Sequence, residues 1–177
     1  EVGNGVYLRG LIEYSNRCKK DCYYCGVRCS NSNVPRYTLS DEEVFECADL
    51  AMEMQLGSLA IRSGERSDRE FTDKIEYLVS EIAKRHNHKL GITLSCGEQS
   101  QEVYKRWFNA GAHRYLLRIE SSREELYYKI HPKNLSHLYE ERIKGIEALK
   151  KEGYQTGSGV MIGLPFQSLE ILAEDLF

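Results

Sequence analysis

The sequence predicts an α/β fold, a partial TIM-type (β/α) barrel in which about five strand–helix units follow one another. Three observations support this prediction. Short segments rich in apolar and β-branched residues alternate with longer segments whose apolar residues recur at helical spacing. The connections between successive strands are too long for hairpins, which makes neighbouring strands parallel. Right-handed crossovers curl such units in one direction, and an open doubly wound sheet is the alternative arrangement.

Five segments have the composition of strands. The first, YLRGLIEY, precedes a cysteine-rich loop, and the second, SLAIRS, precedes a glycine and a glutamate. The predicted strands span residues 7–14, 58–63, 89–95, 114–120 and 155–164. In a parallel barrel the carboxyl ends of all strands lie at one rim, where active groups gather.

Residues typical of the first and last turns of helices predict helices between these strands. Ser40 and Glu43 form a capping box at the first helix, and Gly57 is expected to end that helix. Ser122 and Glu125 form a second capping box, at the start of a short helix. The predicted helices span residues 40–57, 72–86, 100–110, 122–131, 139–151 and 168 onward.

Length and composition describe one domain, residues 1–177, with a substantial core. The formal net charge is −3 and no basic block is present, which argues against binding to nucleic acid or a membrane surface. The N-terminal stretch EVGNGVYLRG does not read as a signal peptide. A full eight-stranded barrel needs about 250 residues, so we expect a domain truncated at its C-terminus.

The cysteines are concentrated in one loop. Cys18, Cys22 and Cys25 have the spacing Cys-x-x-x-Cys-x-x-Cys, and thiolates favour zinc, copper(I) or iron–sulfur clusters. Three thiolates on a four-iron cube leave one iron open to a small molecule. Cys29 could instead complete a four-thiolate site, either for an iron–sulfur electron carrier or for a zinc-stabilised binding module. Clustered cysteines in such a chain indicate metal binding in a reducing, cytoplasmic compartment.

The remaining cysteines and one arginine have ordinary structural interpretations. Cys47 lies in a helical pattern and is expected in the core, whereas Cys96 follows a strand and stays ambiguous. Arg142 lies in a predicted helix and is expected at the surface.

Arg118 and Glu120 are two residues apart in a predicted strand, which directs both side chains to the same face.

The cysteine loop, with Tyr24 directly before the third cysteine, resembles the cluster loop of radical S-adenosylmethionine (SAM) enzymes. Five segments together resemble the HydE-type FeFe-hydrogenase maturases, a family neighbouring biotin synthase and methylornithine synthase. These segments are LIEYSNRCKKDCYYCGVR, LAIRSGE, ITLSCGE, AGAHRYLLRIES and GYQTGSGVMIGLP. The resemblance implies a partial barrel of the radical SAM type.

The resemblance also implies the roles of individual residues. Cys18, Cys22 and Cys25 would hold a 4Fe–4S cluster, and SAM would chelate the open iron. The residues implied to contact SAM are Tyr24, Ser63, Gly64, Glu65, Glu120, Arg142, Met161 and Ile162. The residues implied to bind substrate are Arg62, Thr93 and Arg118. Arg62 departs from the family pattern, which has glutamine at this position.

The implied activity is reductive cleavage of SAM to methionine and a 5′-deoxyadenosyl radical, on the route to the hydrogenase H-cluster. The implied partners are a small-molecule or small iron-complex substrate, a reduced ferredoxin or flavodoxin-like electron donor, and other hydrogenase maturases. Another biotin synthase-like radical SAM enzyme, such as a methylornithine synthase, is the alternative within the superfamily.

Overall fold

The computed structural model describes Gly3 and residues 5–176, so residues 1, 2 and 4 of the N-terminal stretch EVGNGVYLRG, and residue 177, lie outside the described residues. The strands are β1 (Gly10–Ser15), β2 (Ser58–Ser63), β3 (Gly91–Ser95), β4 (Ala112–Leu116) and β5 (Gln155–Gly157). The helices are α1 (Asp41–Glu53), α2 (Arg69–Arg85), α3 (Gln101–Ala110), α4 (Glu124–Ile130), α5 (Tyr139–Lys151) and α6 (Leu169–Glu174). In the described part of the chain, no helix combines the length and apolar character needed to cross a bilayer.

The five strands form one parallel sheet in the order β1-β2-β3-β4-β5. Each strand therefore pairs with the next one in sequence, as it does in a (β/α) barrel. A doubly wound sheet would reverse the strand order at a switch point, and no reversal occurs among these strands. The partial-barrel prediction is confirmed and the doubly wound alternative is excluded.

One face of the sheet packs against the helices and forms the core. Leu59 and Ile61 of β2 are fully buried there, and the predicted apolar face of α2 is buried against them. Trp107 of α3 is also fully buried, and its indole N–H donates a 2.9 Å hydrogen bond to the Thr72 carbonyl oxygen. The buried indole ring stacks on Tyr115 of β4. The core thus anchors the helices to one side of the sheet.

The opposite face of the sheet, called here the inner face, carries polar side chains at alternate positions. Arg62 of β2 lies 3.1 Å from Glu13 of β1. Farther along the sheet, Arg114 donates a 2.8 Å hydrogen bond to the Gln155 side chain. In a closed barrel this face lines the interior, so polar groups stand where a ligand would be enclosed.

The first capping box is present as predicted, but α1 ends earlier than expected. The Ser40 hydroxyl accepts from the Glu43 amide, and the Glu43 carboxylate accepts from the Ser40 amide. The helix ends at Glu53 with Met54 as its C-cap. Gly57 lies three residues later at φ +68°, in the turn that leads into β2. The prediction that Gly57 ends the helix was wrong, because that glycine serves the turn.

The second capping box does not form. The Ser122 hydroxyl and amide both donate to the Asp175 carboxylate, at 2.7 and 2.6 Å. With Ser122 engaged by a residue 53 positions away, α4 begins after Arg123, whose side chain makes no cap hydrogen bond. A long-range contact therefore overrides the local signal.

Four strands are shorter than predicted, and β3 begins at Gly91, two residues later than expected. β1 begins at Gly10 because the preceding residues Tyr7 and Leu8 are exposed and unpaired with a neighbouring strand. β4 ends at Leu116 and β5 at Gly157, although isolated hydrogen bonds continue as far as Glu120. Glu120 has a φ of +67°, which is incompatible with a regular strand. The pairing resumes there only as an isolated parallel bridge between Glu120 and Val160.

The burial of Cys47 and Arg142 was predicted wrongly, and the sequence made no prediction about the burial of Cys96. Cys47 is exposed, because the buried face of α1 is formed by other positions, among them Val44 and Ala48. Cys96, left open by the sequence, is fully buried in the core. Arg142, expected at the surface, has only 8% of its area exposed, because it reaches acidic side chains at the ends of two strands.

Candidate functional site

The cysteine loop lies at the carboxyl end of β1, on the rim where the other strands also end. Cys22 is buried, Cys18 and Cys25 are half-buried, and Cys29 is exposed. Burial, with smaller contributions from Cys18 and Cys25, raises the pKa of the Cys22 thiol to about 11, although the Tyr24 hydroxyl and Arg142 lower it. The three thiols of the predicted cluster loop are therefore close enough to influence one another electrostatically.

Cys18 is fixed against the end of β2. Its sulfur accepts backbone N–H bonds from Lys20 at 3.4 Å and from Glu65 at 3.3 Å. This approach requires Gly64, since a Cβ there would lie 2.4 Å from the Arg17 carbonyl oxygen. N–H donors aimed at a ligand sulfur are a feature of iron–sulfur sites.

Arg36 holds the two ends of the cysteine loop together. Its guanidinium donates to the backbone carbonyl oxygens of Asn16 and Val27, at 2.8 Å each. It also donates to those of Arg28 and Asn31, at 2.7 and 3.1 Å. One side chain therefore ties both ends of the loop together through four carbonyl oxygens.

Replacing Arg36 by lysine is expected to loosen this closure, because an ammonium lacks the planar fork that reaches several acceptors at once. Losing even one such bond, worth about 1.4 kcal/mol, should accelerate amide hydrogen exchange across residues 25–31 about tenfold. The control is Arg17→Lys, at an exposed arginine of the same loop. Equal exchange rates in the two variants would contradict the proposed closure.

A group of four charged side chains, three of them buried and Glu98 half-buried, is called here the charge quartet and lies next to the loop. Lys20 Nζ lies 3.1 Å from Glu65 Oε1 and 2.8 Å from Glu98 Oε2. Arg142 Nε lies 2.7 Å from Glu98 Oε1, and its Nη2 lies 3.7 Å from Glu65 Oε2. The Arg142–Glu98 contact is close but poorly aligned for a hydrogen bond, so the attraction is mainly between charges.

The formal charges of the charge quartet balance, and burial raises the pKa of Glu65 while Arg142 and Lys20 lower it. Burial lowers the pKa of Arg142, but Glu98 and Glu65 more than offset this and leave the pKa raised. Two cations and two carboxylates make the group neutral as a whole. Each member comes from a different part of the fold: the loop, the end of β2, the end of β3 and α5. Gly97, at φ +75°, leaves the space that Glu65 occupies, because a Cβ there would lie 2.1 Å from its Cγ.

A second polar cluster borders Cys22. Tyr24 and His131 are joined by a 3.3 Å hydrogen bond between the hydroxyl and Nε2. Burial lowers the pKa of His131 to about 4, so the ring is neutral near pH 7. Burial raises the pKa of Glu120, while Arg118, 3.0 Å away, and the Tyr24 hydroxyl lower it. Two residues predicted to contact SAM, Tyr24 and Glu120, are thus brought together beside a predicted cluster ligand.

The other predicted site residues are more dispersed. Ser63 donates its hydroxyl to the Gly64 carbonyl oxygen at 2.8 Å. The Thr93 hydroxyl is buried and has no hydrogen-bond partner among the described residues. Met161 is half-buried near Leu164, whereas Ile162 is 79% exposed. The structure therefore gathers most of the predicted residues at one rim but leaves Ile162 in solvent.

Several residues that hold the loop were not predicted as site residues. His137 accepts from the Asp21 amide at 2.9 Å, and the Ile130 carbonyl oxygen accepts from the Tyr23 amide at 3.0 Å. Lys20 was also missed, because a lysine in a polar loop normally reads as a solvated charge. Only Glu98 gave a signal, as a carboxylate three residues after a predicted strand, in the segment ITLSCGE.

The donor set of three cysteine thiols in one loop suits a 4Fe–4S cluster. Within the described residues, no three His, Cys, Asp or Glu side chains are grouped closely enough to hold one ion. In a cube each thiolate binds a different iron, so the sulfurs lie farther apart than on one ion. The N–H bonds to Cys18 and the close approach at Gly64 suit a cluster-binding loop.

A parallel sheet wound in sequence, with a three-cysteine loop after its first strand, defines the class of β/α-barrel iron–sulfur enzymes. A family model described as "Radical SAM superfamily" matches residues 12–176. The chain belongs to the radical SAM superfamily, whose members use a 4Fe–4S cluster and S-adenosylmethionine. This confirms the superfamily, the fold and the cofactor class expected from the sequence.

Two proteins of known name are similar to this chain over nearly its whole length. The chain is 41% identical over 175 residues to the [FeFe] hydrogenase maturase subunit HydE of Thermotoga maritima, with 99% of this chain and 48% of that protein covered. It is 29% identical to the biotin synthase of Anoxybacillus flavithermus, with 97% and 51% covered. The chain thus spans about half the length of these relatives.

Solved structures agree on the fold. Methylornithine synthase (PylB) superposes with a TM-score of 0.87 at 24% identity, covering 98% of this chain and 50% of that one. The FeFe-hydrogenase maturase HydG superposes with a TM-score of 0.80 at 27% identity, covering 93% and 37%. The five-unit sheet described above therefore corresponds to half or less of those structures.

Proposed function

We propose that this chain is the radical SAM core of a HydE-type maturase, which binds a 4Fe–4S cluster through Cys18, Cys22 and Cys25 and cleaves SAM reductively. The observation that carries this proposal is the cysteine loop fixed against the end of β2, with two N–H donors on the Cys18 sulfur. The 41% identity to HydE supports the maturase assignment over the biotin synthase relative at 29%.

When bound, the cluster supplies the electron that divides SAM into methionine and a 5′-deoxyadenosyl radical. The residues of the chain bind and orient the participants. We assign Tyr24 and Glu120 to the nucleoside part of SAM, because they meet beside Cys22. The remaining proposed SAM contacts are Ser63, Gly64, Glu65, Arg142, Met161 and Ile162. Within the charge quartet, Glu65 and Arg142 would act mainly by shaping the pocket, since their side chains already pair with each other and their neighbours.

The inner face is the proposed substrate site. Thr93 offers a buried hydroxyl that still lacks a hydrogen-bond partner among the described residues, and an unpartnered buried hydroxyl favours a ligand that supplies one. Arg118 lies beyond the end of β4, the strand next to that of Thr93, and pairs with Glu120 at 3.0 Å, while Arg62 stands on the same face of the sheet as Thr93. We propose that these residues bind a small molecule or small iron complex that is on the route to the H-cluster.

Partners and location follow from this assignment as proposals. The electron would come from a reduced ferredoxin or a flavodoxin-like donor, and other hydrogenase maturases would receive the product. All six cysteines are free, and free thiols near a labile cluster favour a reducing, cytoplasmic compartment.

The decisive experiment is anaerobic reconstitution with iron and sulfide, followed by reduction with dithionite in the presence of SAM. We expect about four irons per chain, with 5′-deoxyadenosine and methionine formed in equal amounts. A reconstituted cluster that produces no 5′-deoxyadenosine would refute SAM cleavage. Incubation with methylornithine-synthase and biotin-synthase substrates tests the alternative, because turnover of either one would replace the HydE-type assignment.

A further inference from the structure

The charge quartet and the Cys18 sulfur share two residues. Lys20 and Glu65 are the residues whose backbone amides donate to Cys18 Sγ, and their side chains pair with each other at 3.1 Å. The two N–H donors come from separate parts of the chain, the loop and the segment after β2. The ion pair therefore fixes the spacing between donors that converge on one sulfur.

The quartet is an inefficient way to stabilise the fold. Burying ions costs solvation, and well-packed apolar side chains in the same space are often as stabilising or more so. Lys20, Glu65 and Arg142 are each at least nine-tenths buried by side-chain area, so this cost is incurred in full. Such an arrangement at the sulfur of a proposed cluster ligand points to a role in holding the site.

Hydrogen bonds to ligand sulfurs tune the reduction potential of iron–sulfur clusters, because they stabilise the more negative, reduced state. We propose that Lys20 and Glu98 are positioning residues that, through the charge quartet, hold the Lys20 and Glu65 amides on Cys18 Sγ and so raise the cluster's reduction potential. Glu98 contributes by fixing the ammonium of Lys20 at 2.8 Å. This inference rests on the proposed function, because it requires a cluster on Cys18.

The test compares four variants of the reconstituted holoenzyme by redox titration monitored by electron paramagnetic resonance. Lys20→Met should shift the midpoint potential to more negative values and slow SAM cleavage about tenfold, the lower end of the range for residues that support metal ligands. Lys20→Arg, which keeps the charge, should recover most of the potential. Lys19→Met is the control, because the adjacent lysine is exposed and its ammonium contacts Ser67 outside the quartet.

The fourth variant separates positioning from stability. Lys20→Met combined with Glu98→Gln leaves one cation and one anion, Arg142 and Glu65, so the buried group is neutral again. We expect this double variant to recover iron content and thermal stability but to keep the more negative potential, since the Lys20–Glu65 tether stays absent. A wild-type potential in either Lys20→Met variant with full iron content would overturn the inference. A wild-type chain without a cluster would instead overturn the proposed function and this inference with it.

Discussion

Replacing Cys22 by alanine is expected to abolish cluster binding, with iron falling to background and 5′-deoxyadenosine production lost. Cys22 is buried and lies among the other two loop thiols. The two remaining thiolates cannot hold the cube, and the exposed Cys29 cannot take the place of a buried ligand without rebuilding the loop. The measurements are iron and sulfide per chain, the visible charge-transfer absorption and the 5′-deoxyadenosine assay.

Cys29→Ala is the matched control. Cys29 contacts the loop through its backbone amide, which donates to the Lys20 carbonyl oxygen at 2.8 Å and is retained in alanine. We therefore expect wild-type iron content and SAM cleavage. Loss of the cluster in this variant would support the four-thiolate electron carrier, and retention of both cluster and activity in Cys22→Ala would rule out the ligand assignment.

Replacing Gly64 by alanine should have the second largest effect. The new Cβ would lie 2.4 Å from the Arg17 carbonyl oxygen, 2.7 Å from its carbonyl carbon and 2.8 Å from Cys18 Cβ. These neighbours are largely backbone, so the cysteine loop must move away from β2. Overpacking of this kind costs about 1–3 kcal/mol, and the displaced Cys18 should reduce cluster occupancy. Chemical denaturation and iron content measure the two effects.

Gly26→Ala is the control for this prediction, because Gly26 is in the same loop and a Cβ there meets nothing within 4 Å. Its φ lies outside the left-handed region, so alanine fits without strain. By restricting the unfolded chain, the substitution should leave stability unchanged or raise it by up to about 1 kcal/mol. Equal losses of stability and iron at both glycines would show that close approach at Gly64 is unimportant.

The sequence predicted those parts of the fold in which local signals and long-range packing agree. β2 and α5 have the predicted bounds, 58–63 and 139–151, because a glycine follows each of them and, in β2, the apolar residues Leu59 and Ile61 are the buried ones. The prediction failed where a distant residue decides the local structure. Ser122 is an example, since its capping partner is displaced by Asp175.

For the site, the sequence indicated the ligands and the rim, because cysteine spacing and the ends of parallel strands are visible along the chain. It did not indicate how the loop is supported. In the sequence alone, Lys20 and Arg142 look like surface charges. Only the folded chain shows that both side chains reach Glu65 and Glu98. Arg36 was missed for the same reason, because its acceptors are backbone oxygens, which carry no sequence signature.

The supports of the cysteine loop have a consequence for biosynthesis. Lys20 bonds to the Ser136 carbonyl oxygen and Asp21 to His137, and each pair is 116 residues apart in the chain. At a translation rate of about 5–20 residues per second, those partners follow the cysteines by roughly 6–23 seconds. During that interval the three cysteines have been synthesised, but the hydrogen bonds to Ser136 and His137 that hold their loop cannot yet form. We therefore expect the cysteines to bind iron and sulfide stably only after the ribosome has synthesised Ser136 and His137. A nascent chain stalled before residue 136 should not retain the iron and sulfide.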